Sequence, residues 1–100
     1  MAFHHCVMFR WSDDVDAEHV AKIAAALDSM PANVPTIRRY HHGVDAGANP
    51  GKNNFDYVVV GEFDDLDGYL AYRDHPFHTS FIAEMITGRV ADRAAIQFEG

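Results

Sequence analysis

Two stretches of this chain, AFHHCVMFRW near its start and FDYVVVGEF past its middle, are apolar on both sides of an extended backbone. Successive side chains of a strand point to opposite faces of a sheet. In the first stretch Phe3, His5, Val7, Phe9 and Trp11 point one way while His4, Cys6, Met8 and Arg10 point the other. In the second, Tyr57, Val59 and Phe63 oppose Val58 and Val60. A sheet built on such strands needs apolar cover on both faces. That requirement bounds what the rest of the chain has to supply.

The first strand, about residues 2–11, ends in SDD, a cluster able to cap a following helix. From Asp16 to Ser29 the apolar positions Val20, Ile23, Ala24 and Leu27 recur at helical spacing, and MPANVP is expected to stop the helix. TIRRYHHGV reads as a second strand, and DAGANPGKNN as a loop of turn formers leading into the third, FDYVVVGEF. A second helix starts in DDLDGYLAYRD. It should break at Pro76, which disfavours helical geometry at His75, and resume toward Thr87 with Gly88 as its stop. AAIQFE closes the chain as a fourth strand. The order β-α-β-β-α-β predicts an α+β fold of the ferredoxin-like kind, an antiparallel four-stranded sheet with strands one and three central and both helices on one face. Two helices leave Cys6, Met8, Val58 and Val60 facing water on the other side, the kind of apolar patch that marks an interface. A homodimer packed sheet against sheet is the economical cover.

A chain of 100 residues has room for one domain, spanning 1–100, with a single core. No apolar run approaches the roughly 18 to 20 residues that span a bilayer, so no membrane partner is expected. The start lacks the features of a signal peptide, and one cysteine cannot form an intramolecular disulfide; a cytoplasmic protein with Cys6 reduced follows as the expectation. A net charge of −7, with acidic clusters at SDDVDAE and FDDLD, would repel a phosphate backbone. Nucleic acid is not an expected partner.

The segment YRDHPFH places a tyrosine and two histidines around Pro76. Beyond the proline, His78, Phe81, Ile82 and Met85 share one helix face, which points inward. An imidazole among apolar side chains is disfavoured in its charged form, and a neutral imidazole near pH 7 suits proton abstraction beside a carbonyl. The same position also suits a core histidine bonded to the backbone, and spacing does not choose between them. Tyr72 is either a donor to a developing oxyanion or a tyrosine at the rim of the core. His75 belongs to the helix break, and His41 and His42 point to opposite faces of a strand, so at most one of them faces a pocket. His75 and His78 have a spacing some helical metal sites use, but the break separates them, and there is no CxxC or HExxH; no metal site is expected. GANPGK lacks the serine or threonine and the helix that a phosphate-binding loop needs.

HHCVMFRW, MPANVPTIRRYHHGVD, FDYVVVGEF and YLAYRDHPFH together resemble the stress-responsive α/β barrel (Dabb) family over nearly the whole chain, most specifically in the Y-x-x-H-P-x-H frame. The resemblance implies a dimer whose facing sheets form an α/β barrel. Members of the olivetolic acid cyclase-like kind close a polyketide thioester by an aldol reaction, with a histidine base and an assisting tyrosine. Those roles fall on His78 and Tyr72, and an auxiliary pocket histidine falls on His5. Another pocket histidine is replaced by Tyr57, and a tyrosine of the first helix by Leu27, so the lining for a substrate differs. The expected substrate contacts are His5, Tyr57, Val59, Leu27 and Phe81, around a small apolar carbonyl ligand. Haem enters only by analogy of fold, which is no warrant for function, and no cofactor is expected. Two readings stand side by side: a polyketide cyclase-like lyase or binding protein with an apolar pocket, and a stress-related dimeric barrel without chemistry.

Overall fold

The computed structural model describes residues 1–50 and 53–100. Strands β1 (Phe3–Trp11), β2 (Arg39–Val44), β3 (Tyr57–Phe63) and β4 (Val90–Glu99) form one antiparallel sheet in the order β2-β3-β1-β4. The doubly apolar strands are therefore the two central ones, and the fold is ferredoxin-like α+β. Phe3, Val7, Phe9, Val59 and Phe63 are buried beneath the helices. On the other face the structure leaves Val60, Ile96 and Phe98 exposed, with Phe98 beside His4 and Ile96 beside Cys6.

Helix α1 (Ala17–Asp28) begins where the Asp16 carboxylate accepts the His19 amide at 2.8 Å, satisfying one of the amides a helix start leaves without a partner. It presses Ile23 and Leu27 onto the sheet. MPANVP does more than stop this helix. It forms a short turn, α2 (Met30–Asn33), with Pro31 where a missing N–H is harmless, and it seals Met30 and Val34 into the core. Helix α3 (Leu66–Asp74) is capped by Asp65, which accepts the Gly68 amide at 2.9 Å. At His75 the backbone is extended (φ −63°, ψ 134°), and α4 (Pro76–Phe81) starts on the proline, its Phe77 amide donating to His75 Nδ1 at 3.1 Å. The proline break thus lies where the ring excludes helical geometry at the residue before it. After α4 the chain widens into a π turn, Ile82–Ile86, closed by the Thr87 amide on the Ile82 carbonyl at 2.9 Å.

Several boundaries differ from the sequence expectation. The second strand starts at Arg39 rather than Thr36, because the Thr36 hydroxyl donates to the Gly68 carbonyl at 2.8 Å and ties that segment to α3. The third starts at Tyr57, since Asp56 is spent on β1: its amide donates to the Phe9 carbonyl and its carboxylate accepts the Trp11 amide. The fourth begins at Val90 rather than Ala94, extended by pairing with Arg10 and Trp11 across a register shift that leaves one extra residue on β4. The middle of the expected loop, Gly51 and Lys52, and with it the GANPGK reading, lies outside the described residues. Among the described residues no helix is long and apolar enough to cross a membrane.

Gly88 ends the second helical region with φ +82°, and a methyl group added there would meet nothing within 4 Å. Gly88→Ala should therefore destabilise by about 1–2 kcal/mol through backbone strain alone. Urea unfolding of the two proteins checks this; equal midpoints would show that the turn relaxes without cost.

Candidate functional site

The helices lie over the central strands and do not reach across β4, whose helix-side residues Arg93, Ala95 and Gln97 stay exposed. A cavity of about 400 Å³ opens in this gap, between β1, α3, α4 and the π turn. It is the size class of small-molecule sites. The structure brings His5, Val59, Leu27, Tyr72, His78 and Phe81 together in its lining.

His78 reaches the cavity because Pro76 restarts the helix two residues earlier and turns the new face inward. Its Nδ1 lies 3.0 Å from the Arg73 carbonyl. A carbonyl only accepts, so Nδ1 carries the proton and the neutral ring keeps its lone pair on Nε2. Burial pushes the His78 pKa below the ordinary imidazole value, against a smaller opposing pull from the Arg73 carbonyl and Asp74. The ring is held as a neutral base, with one nitrogen anchored and the other available.

The Tyr72 ring lies 4.2 Å from the His78 ring between centroids, tilted by 36°. Its hydroxyl is 2.9 Å from that of Tyr40, a residue of β2 that also lines the cavity. Burial raises both phenols, Tyr72 to about 12 and Tyr40 higher still. Neither ionises near neutrality. The two hydroxyls share one hydrogen bond at the cavity wall. Sequence reasoning missed Tyr40, which stands in β2 opposite Gly61.

His5 is buried on the floor of the cavity, its ring 5.0 Å from Tyr69 and 6.2 Å from Tyr72. Gln97 Nε2 donates to its Nδ1 at 2.7 Å, which places the His5 proton on Nε2. Burial first, then Arg93 and His78, lower its pKa to about 4. At neutral pH His5 is a fixed dipole rather than a charge.

Tyr57, expected among the substrate contacts, does not line this cavity. Its hydroxyl is held 2.7 Å from His42 Nδ1, and His42 Nε2 is 2.7 Å from the Asp28 carboxylate. The carboxylate accepts from Nε2–H, which leaves Nδ1 of the neutral ring to accept from the Tyr57 hydroxyl. This chain pins the end of α1 to β2 and β3 and draws Tyr57 to the side, against Trp11. Cys6 and His41 pair with Val60 from the strands flanking β3 and so share the uncovered face. The Nδ1 atoms of His75 and His78 are taken by the Phe77 amide and the Arg73 carbonyl. Among the described residues no three His, Cys, Asp or Glu side chains converge as a metal site.

A family model, the Stress Responsive A/B Barrel Domain, matches residues 3–99. A stress-response A/B barrel domain-containing protein of Arabidopsis thaliana is 24% identical over 82 residues, covering 81% of this chain and 71% of the relative. A dimeric ferredoxin-like protein of unknown function from Thermobifida fusca superposes with a TM-score of 0.89 at 39% identity, over 100% of this chain and 92% of that one. A dimeric protein of unknown function with a ferredoxin-like fold from Bacteroides fragilis does so with a TM-score of 0.81 at 27% identity, over 99% and 96%.

The His5 shift makes a prediction about stability. Folded His5 stays neutral down to about pH 4, while in the unfolded chain it protonates near 6.5. Its contribution is therefore complete above 6.5 and is lost as pH falls toward 4, because the unfolded state binds the proton first. In denaturant titrations across that window, the stability gap between the wild type and His5→Gln should narrow as pH is lowered; a constant gap would mean that His5 charges freely in the fold.

Proposed function

Because the chain belongs to the stress-responsive A/B barrel domain family, we propose that it forms a homodimer, sheet against sheet, in which each subunit binds a small apolar carbonyl compound and activates it by removing a proton beside the carbonyl. His78 Nε2 is the general base. Tyr72 donates its hydroxyl to the carbonyl oxygen, with Tyr40 held behind it.

The observation that carries this reading is the His78 Nδ1–Arg73 bond beside Tyr72 in one open cavity. A ring packed for stability alone needs no room in front of its free nitrogen. In the proposed step the C–H pair moves onto the carbonyl oxygen as an enolate, the proton goes to Nε2, and the Tyr72 hydroxyl bonds the oxyanion as its charge grows. The enolate carbon can then attack a second carbonyl of the same molecule, and His78 returns its proton to the new alkoxide. Apolar walls such as Val59, Leu27 and Phe81 exclude water and strengthen these interactions. Dimerisation is supported by the exposed Val60, Ile96 and Phe98 on the face that no helix covers. The two solved relatives described above are themselves named as dimeric.

The chemistry is tested with 4-oxo-4-phenylbutanoate and its methyl ester in deuterium oxide, following exchange of the protons beside the ketone by NMR. His78→Gln should slow exchange on the order of 100-fold or more, and Tyr72→Phe by less, with thermal unfolding measured alongside. Equal rates in His78→Gln and wild type would remove the base assignment. Since burial lowers the His78 pKa below the ordinary imidazole value, the wild-type rate should fall on acidification with its midpoint below pH 6.5. A fall centred above pH 6.5 would contradict the buried neutral ring.

The dimer is tested separately. Ile96 is 61% exposed in the single chain, so Ile96→Glu should leave the subunit folded while placing a charge in the proposed interface. Sedimentation should show the wild type as a dimer at micromolar concentration and the variant shifted to monomer; a wild-type monomer would end the idea.

A further inference from the structure

The charges around the cavity are one-sided. The chain carries 15 acidic and 8 basic residues, yet the ionic residues lining the cavity are Arg73 and Arg93, with no aspartate or glutamate among them. Arg73 is committed elsewhere, making two bonds to the Asp74 carboxylate at 2.9 and 3.1 Å. Arg93 is not. Among the described residues, Lys22, Arg38, Arg39 and Arg73 each face a carboxylate, and Arg10 and Arg89 each donate to a backbone carbonyl. The Arg93 guanidinium has neither kind of partner.

Its place in the sheet explains where that free charge lies. Arg93 stands opposite Phe9 on the helix side of β4, four residues before Gln97, which holds His5. An exposed arginine on the strand that the helices fail to cover sits at the opening, while His5, Tyr72 and His78 lie further in. A planar guanidinium with its donors unspent is suited to a carboxylate, which it can bind through two parallel bonds. Beside an apolar wall, such a pair is less screened than on an open surface.

We propose that the ligand of this cavity is an organic acid, an apolar carbonyl compound whose carboxylate pairs with Arg93 at the opening while its carbonyl lies against Tyr72 and His78. This rests on reading the cavity as a carbonyl site. Arg93 selects and orients the ligand and takes no part in the proton transfer. In a chain of net charge −7, a cation without a carboxylate partner on this rim favours the approach of an anion.

The test compares the affinities of 4-oxo-4-phenylbutanoate and its methyl ester by calorimetry, for the wild type, Arg93→Gln and Arg93→Lys. The wild type should bind the acid about tenfold more tightly than the ester, the usual worth of a hydrogen bond to a charged group. Arg93→Gln should bring that ratio close to one by weakening the acid, and Arg93→Lys should keep part of it. Wild-type affinities that are equal for acid and ester, or an acid preference that survives in Arg93→Gln, overturn the proposal. In the first of those cases the carbonyl reading stands, because the ester still binds. If neither compound binds, the acid ligand and the carbonyl site fall together.

Discussion

The arrangement of this structure depends on a mismatch of areas: two helical regions must cover a sheet of four strands, and they cover the central pair well and the β4 edge hardly at all. Burying Phe3, Val7, Phe9, Val59 and Phe63 under α1 and the α3–α4 layer provides the main hydrophobic stabilisation. The uncovered remainder takes two forms. On the helix side it is a cavity floored by β1 and bounded by β4. On the far side it is an apolar surface carrying Val60, Ile96 and Phe98. A longer second helix would close the first, and a polar far face would remove the second.

The cavity combines apolar walls with a few hydrogen-bonded polar side chains. Three side chains in it each have a hydrogen-bond position committed to the protein: His78 Nδ1 to a backbone carbonyl, His5 Nδ1 to Gln97, and the Tyr72 hydroxyl to that of Tyr40. Among the described residues no buried side-chain nitrogen or oxygen lacks a partner. Those anchors fix the tautomers of the two imidazoles. The Asp28–His42–Tyr57 chain obeys the same logic outside the cavity, where it fastens α1 to the sheet.

The alternation of apolar residues along β1 and β3, and the punctuation by Asp16, Pro76 and Gly88, were legible because they are local: a strand repeats every two residues, a proline acts on the residue before it, and a positive φ favours glycine. From these came the order of elements, the central strands and the inward face of His78. The early start of β4 and the extra turn at Met30–Asn33 were not legible, since VADR and MPAN carry weak local preferences and are held by contacts from distant parts of the chain. Tyr57 shows the limit most clearly. Its strand face could be read from alternation, but its exclusion from the cavity depends on His42 and Asp28, which lie 15 and 29 positions away. The sequence by itself determined which side chains share a face of each strand or helix. The tertiary structure alone decided that Tyr40 backs Tyr72, that Tyr57 is drawn aside and that Arg93 stands free at the opening, because cross-strand register and the offset of helices from sheet arise from packing between segments that no local spacing encodes.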